Sequence, residues 1–189
     1  MVARPLLPTK RTPDTARLAV WIFAYGSLIF RPSFPYLERR RAFLPGWMRR
    51  FWQGSPDHRG IPEAPGRVVT LVQAAGETCG GCAYRIDPAG ADQVLAELDA
   101  REQAGFDRLH LPILDAPEGV AFAEALVYVA NAANPHFLGP LEEREIAAWV
   151  LRSHGPSGPN VEYVLRLHAA LAELGVVDEH VEAIVKSLP

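Results

Sequence analysis

Hydrophobic and polar positions along this chain change period more than once, and each change marks an element. Leu18 to Tyr25 is a short apolar run rich in β-formers. Phe43 to Gln53 holds two aromatic-rich stretches broken at Pro45-Gly46. Arg67 to Gln73, with Val68, Val69, Leu71 and Val72, and Gly81 to Ile86 read as a hairpin, with Gly80-Gly81 at its turn. Asp107 to Leu114 alternates at Leu109, Leu111 and Ile113, and Ala123 to Ala130 is a further strand. Between them Ala91, Val94, Leu95 and Leu98 recur at helical intervals. Asp87 serves as N-cap, Pro88 as the first helical residue and Gly105 as the stop. After Pro140 the period is helical throughout: 140–153, 160–174 with Asn160 as a fair N-cap, and 178–188 capped by Asp178. Six or so strands interrupted by one helix and followed by three predict an α+β fold. It has a small, mixed, barrel-like sheet with C-terminal helices packed against it.

Two segments suggest chemistry. Glu102 falls seven residues after Leu95 and extends the apolar stripe of its helix. A carboxylate there is costly unless partnered, and desolvation raises its pKa toward that of a general base. The spacing equally allows a terminal glutamate turned to solvent or tied to an arginine. The second segment, Phe23-Ala24-Tyr25-Gly26-Ser27-Leu28, closes the first strand with a glycine that lets backbone approach a ligand.

Composition narrows the field. The chain has 189 residues, 49% of them apolar, and a formal charge of −3, which suits one well-buried domain spanning 18–189 behind a mobile tail, 1–17. Bulk charge points to no nucleic acid. Between Arg31 and Arg67, however, eight arginines stand against three carboxylates, Glu38, Asp57 and Glu63. Guanidinium groups there suit either carboxylate recognition or a solvated basic face. No run reaches the roughly eighteen apolar residues of a membrane span, and the first twenty residues lack a signal-peptide core, so a cytoplasmic protein is expected.

Cys79-Gly80-Gly81-Cys82 invites a redox or zinc reading. It precedes a strand rather than a helix, and no second ligand pair accompanies it. Ser27 lacks a nucleophile elbow, Gly26 stands without the partners of a Walker or dinucleotide loop, and His58 and His136 are lone histidines in loops. Neither metal nor cofactor is expected.

From about Trp21 onward the chain resembles the ChaC-type γ-glutamylcyclotransferases. The matching stretches are Tyr25-Gly26-Ser27-Leu28, Arg49 to Ser55 with Asp57-His58-Arg59-Gly60, Pro65 to Leu71, Leu98-Asp99 with Arg101-Glu102, Asn134-Pro135 with Leu138-Gly139-Pro140, and Gly155 to Asn160. The resemblance implies a β-barrel-like core and cleavage of glutathione to 5-oxoproline and cysteinylglycine without metal or cofactor. It makes Glu102 the catalytic acid/base and the loop Ile22, Phe23, Ala24, Tyr25, Gly26, Ser27, Leu28 the γ-glutamyl site, with Tyr163 in the substrate-binding set. Arg49 and Arg50 are the cations expected at the substrate carboxylates. The chain departs from the family's usual pattern in two places: Ala24 replaces a glycine, and Gln103-Ala104-Gly105-Phe106 replaces Lys-Gly-Gly-Tyr. Both changes bear on cradle width and selectivity. Two other functions stay open: a cyclotransferase for other γ-glutamyl amines, and a silent binding module for γ-glutamyl peptides.

Overall fold

The computed structural model describes residues 19–101 and 105–189; the expected tail and Glu102 lie outside them. Five strands form a closed barrel in the order β1-β3-β2-β4-β5. They are β1 (Val20–Ala24), β2 (Glu38–Ser55), β3 (Gly66–Ile86), β4 (Asp107–Leu114) and β5 (Ala121–Val129). All pairings are antiparallel except the seam, where Trp21 and Ile22 of β1 run parallel to Ala125 and Leu126 of β5. The expected α+β barrel with a mixed sheet is the observed one.

Its strands are fewer and longer than the pattern predicts. Phe43–Gln53 is the middle of one continuous strand, β2, bulged between Pro45 and Trp47 and again between Arg50 and Gln53. At the first bulge Gly46 opposes residues 74–77 of β3, and Gly46 and Gly76 both take positive φ, so the ribbon bends without breaking. The hairpin expected from 67–73 and 81–86 is likewise a single strand. Gly80 and Gly81 form no turn; they lie mid-strand because a side chain has no room there. A Cβ on Gly80 would stand 2.5 Å from Val176 Cγ1, and one on Gly81 2.4 Å from the Ala24 carbonyl.

Helix α1 (Ala91–Arg101) buries Ala91, Val94 and Leu98 as its spacing requires. It starts three residues after Pro88. Asp87 Oδ1 accepts from the Ala89 amide, so Asp87 caps the turn that leads into the helix. A small hairpin, β6 (His154–Gly155) with β7 (Gly158–Pro159), then separates α2 (Glu143–Arg152) from α3 (Asn160–Glu173), and α4 (Glu179–Lys186) follows. Asp178 caps α4 through the Val181 amide at 3.1 Å, as expected. Asn160 does not cap α3. It is fully buried, and its amide accepts from Arg67 N–H at 2.6 Å and donates to Arg67 C=O at 2.8 Å, imitating a neighbouring strand at the start of β3. One apolar core runs from Ile22 and Phe51 in the barrel to Val164, Leu167 and Ile184 in the helices.

Candidate active site

Where β1 ends, the chain leaves the barrel through Tyr25 and Gly26 into a single 3₁₀ turn, Ser27–Ile29. Tyr25 anchors this exit twice. Its hydroxyl donates to the Tyr128 carbonyl at 2.7 Å, and its own carbonyl accepts from Arg49 Nε at 2.7 Å. The turn's carbonyls are also engaged, Gly26 by the Ile29 amide and Ser27 by the Phe30 and Arg31 amides. Among the described residues, the Gly26, Ser27 and Leu28 amides have no acceptor. A row of backbone donors remains, of the kind that receives an anionic oxygen.

Tyr163 of α3 stands beside that row. Its Oη lies 3.2 Å from where a Gly26 Cβ would be, which explains a glycine there. The ring is held edge-on by Phe30 and Phe51, each with centroids 5.9 Å away. Its oxygen accepts the Val69 amide at 3.5 Å. Its own proton has no acceptor among the described residues. Burial pushes the Tyr163 pKa up to about 12, against the opposing pull of the Val69 amide and of Arg49, Arg101 and Arg59. It is therefore a neutral donor at ordinary pH. Arg59 sits 5.9 Å from the ring centroid, held by Glu162 and the Pro159 carbonyl.

The last turn of α1 is drawn to the same place. Asp99 accepts from Tyr128 Oη at 2.7 Å and from Arg108 at 3.1 Å, so Tyr128 bridges Tyr25 to α1. Arg101 Nη2 donates to Ser27 Oγ at 2.7 Å, crossing from the helix to the 3₁₀ turn. The next residue in sequence is Glu102, which lies outside the described residues. Asp99 and Arg101 belong to the matched Leu98-Asp99-x-Arg101-Glu102 stretch, and that was the one signal in the sequence for their part here.

The expected cradle Ile22–Leu28 spans a strand end and the loop that follows it. Ile22, Phe23 and Ala24 are barrel wall, at most 2% exposed and paired with β3, so the loop proper is Tyr25–Leu28. Ala24, one of the two departures from the family's usual pattern, belongs to that wall. Arg49 is 1% exposed and lies behind the loop, its guanidinium spent on the Tyr25 and Gly80 carbonyls and on Asp178. Burial opposes its charge, yet neighbouring Cys79 and Asp178 hold its pKa above the ordinary value. Cys79 is itself a thiol at neutral pH, pushed up to about 11 by burial, so Asp178 is the operative partner. Arg50 donates to the Arg49 carbonyl at 2.7 Å. Cys79 and Cys82 are buried and unpaired; three residues apart on one strand, they face opposite sides. A groove of about 540 Å³ between Phe30, Tyr36, Arg39 and α3 contains none of Tyr25–Leu28.

The described residues contain no helix long and apolar enough to cross a membrane. The family model for ChaC-like protein matches residues 20–188, and the chain belongs to that family. It is 42% identical over 176 residues to a human protein named glutathione-specific γ-glutamylcyclotransferase 1, covering 90% of this chain and 78% of that one. It is 41% identical to γ-glutamylcyclotransferase 2-3 of Arabidopsis thaliana, covering 87% of this chain and 85% of the relative. The crystal structure of a yeast γ-glutamyl cyclotransferase specific to glutathione superposes with a TM-score of 0.80 at 29% identity. That match covers 90% of this chain and 97% of the yeast one.

Proposed function

We propose that this protein is a glutathione-specific γ-glutamylcyclotransferase that releases 5-oxoproline and cysteinylglycine. The observation that carries the reading is the human relative of that name, matched over 90% of the chain. The row of backbone donors beside Tyr163 supplies what the chemistry requires. We read residues 18–189 as one catalytic domain. The setting we propose is cytoplasmic, with a small-molecule substrate rather than nucleic acid. Carboxylates already engage several of the arginines, as in Arg85 with Glu38 and Arg59 with Glu162, which speaks against a nucleic-acid face.

The substrate carries its own nucleophile. Its α-amine folds back onto the γ-carbonyl, closes a five-membered lactam and expels the cysteinyl amine, an intramolecular attack that profits from a high effective molarity. Three tasks remain for the protein. It must hold the folded chain, accept the ammonium proton and return a proton to the leaving amine, and stabilise the tetrahedral oxyanion. Glu102 takes the proton work, as one carboxylate can serve both steps. The Gly26 and Ser27 amides, with Tyr163 Oη–H, take the oxyanion. Arg101 places a cation at the loop's outer edge for a substrate carboxylate, and Arg49 acts from behind rather than by contact.

Purified protein incubated with reduced glutathione, γ-glutamyl-alanine or γ-glutamyl-lysine is expected to release 5-oxoproline, read by mass spectrometry, from glutathione alone. Glu102→Gln is expected to retain glutathione affinity and lose turnover by about 10²- to 10⁴-fold. Release only from the other two substrates would shift the reading to another γ-glutamyl amine, and a fully active Glu102→Gln would overturn the mechanism.

A further inference from the structure

The Tyr25 carbonyl and the Gly26 amide belong to one planar peptide unit, and the described residues contain no cis bond. In a trans unit C=O and N–H point in opposite directions. Whatever grips the carbonyl therefore aims the amide. The grip is Arg49 Nε at 2.7 Å. The same guanidinium gives Nη2 to the Gly80 carbonyl and Nη1 to Asp178 Oδ2, both at 2.5 Å, which fixes its plane at three points. Asp178 is fixed in turn, because its other oxygen caps α4 through the Val181 amide.

A buried ion pair is a poor source of stability, since desolvating both charges offsets most of their attraction. Satisfying the Tyr25 carbonyl would need only a neutral donor. A cation does two further things. It polarises the carbonyl, and through the conjugated unit it makes the Gly26 N–H a stronger donor. It also leaves a positive field at the loop, because Asp178 is 13% exposed and partly screened by water while the Arg49 side chain is fully sealed.

We propose that Asp178 and Arg49 form a positioning pair that aims and polarises the Gly26 amide, coupling the N-cap of α4 to the oxyanion site. The inference rests on the reading above that this amide meets the oxyanion. Asp178→Asn tests it, because Asn keeps a capping oxygen for Val181 while removing the carboxylate from Arg49. Three quantities are compared with wild type: the Gly26 amide proton shift, kcat and KM for glutathione, and the urea unfolding midpoint. With its oxygen on Val181, Asn turns an N–H donor toward Arg49 Nη1 and releases the guanidinium from its plane, so the expected result is an upfield move of the Gly26 resonance and a fall in kcat of about ten- to a hundred-fold, with KM within about twofold. A role confined to stability would move the midpoint and leave Gly26 and kcat alone, which overturns the proposal. So would a shifted Gly26 resonance with unchanged kcat. Should Asp178→Asn not fold, Asp178→Ser, which also caps and carries no charge, is measured in its place. A wild type without turnover would overturn the functional reading and this proposal together; an active wild type with an unaffected variant overturns this proposal alone.

Discussion

Arg49 and Arg67 are both sealed in the protein, 1% and 2% exposed, and both bond backbone carbonyls, yet their surroundings treat the charge in opposite ways. Arg49 has a carboxylate partner, and its pKa lies above the ordinary value. Arg67 has none. It donates to the Phe51 and Gly139 carbonyls at 3.0 Å and lies 4.7 Å over the Trp149 ring. Among the described residues its Nε finds no acceptor. Burial and nearby Arg152 lower its pKa. The difference separates two uses of one residue type. Arg67 staples the loop after Phe137 and helix α2 to the barrel, a task that carbonyls and an indole can meet. Arg49 serves a loop with amides to aim, and there a counter-charge fixes direction.

Replacing each arginine by methionine should split them most widely. Arg49→Met leaves Asp178 without its partner and is expected to cost about 3 kcal/mol or more in unfolding free energy and to reduce kcat over a hundredfold. Arg67→Met strips donors from two carbonyls, for about 1–3 kcal/mol, and leaves kcat within a few-fold. Equal losses of kcat in the two variants would erase the distinction.

Acid sharpens the comparison at the Arg49 end. His180 Nε2 accepts the Phe51 amide at 3.1 Å, so Nδ1 carries the proton and donates to Glu143 at 2.9 Å. The ring is neutral in this arrangement. Burial lowers its pKa, Glu143 and Asp178 oppose that shift, and Arg50 adds to it. The folded state thus binds this proton less readily than the unfolded chain. Its contribution is full above the unfolded value of about 6.5 and is lost as pH falls from there through the lower folded value. The unfolding free energy should fall as pH drops below about 6.5, by at most roughly 1.4 kcal/mol per pH unit, and less in His180→Gln, as read by urea unfolding. The smallest effect on turnover belongs to Cys79→Ser/Cys82→Ser, which should lower stability by about 1–2 kcal/mol without changing kcat. Loss of turnover in that variant would revive a thiol chemistry.

Apolar periodicity made α1, β4 and the three C-terminal helices legible, because each buries one face, while β5 was legible as an apolar run, buried without alternation from Ala125 to Val129. Three features were not. Gly80-Gly81 reads as a turn locally, and only contact with Val176 and Ala24, distant in sequence, makes glycine necessary mid-strand. Asn160 has the composition of a cap but is used as a surrogate strand for Arg67. The burial of Arg49 behind the loop is the third. A signal existed in its spacing, for Arg49, Phe51 and Gln53 share one parity on β2 and all three are buried. The loop Tyr25–Leu28 was visible as a motif, but its supports, Arg49, Asp178 and Tyr128, come from β2, the cap of α4 and β5.

The Arg49–Asp178 pair joins positions 129 residues apart. As the chain leaves the ribosome, the two long strands β2 and β3 are complete while the carboxylate that balances Arg49 has yet to be translated. Until it arrives, drying that end of the barrel would strand a cation in an apolar interior. A chain that ends before Asp178 would therefore hold Arg49 at that end of the barrel without its counter-charge.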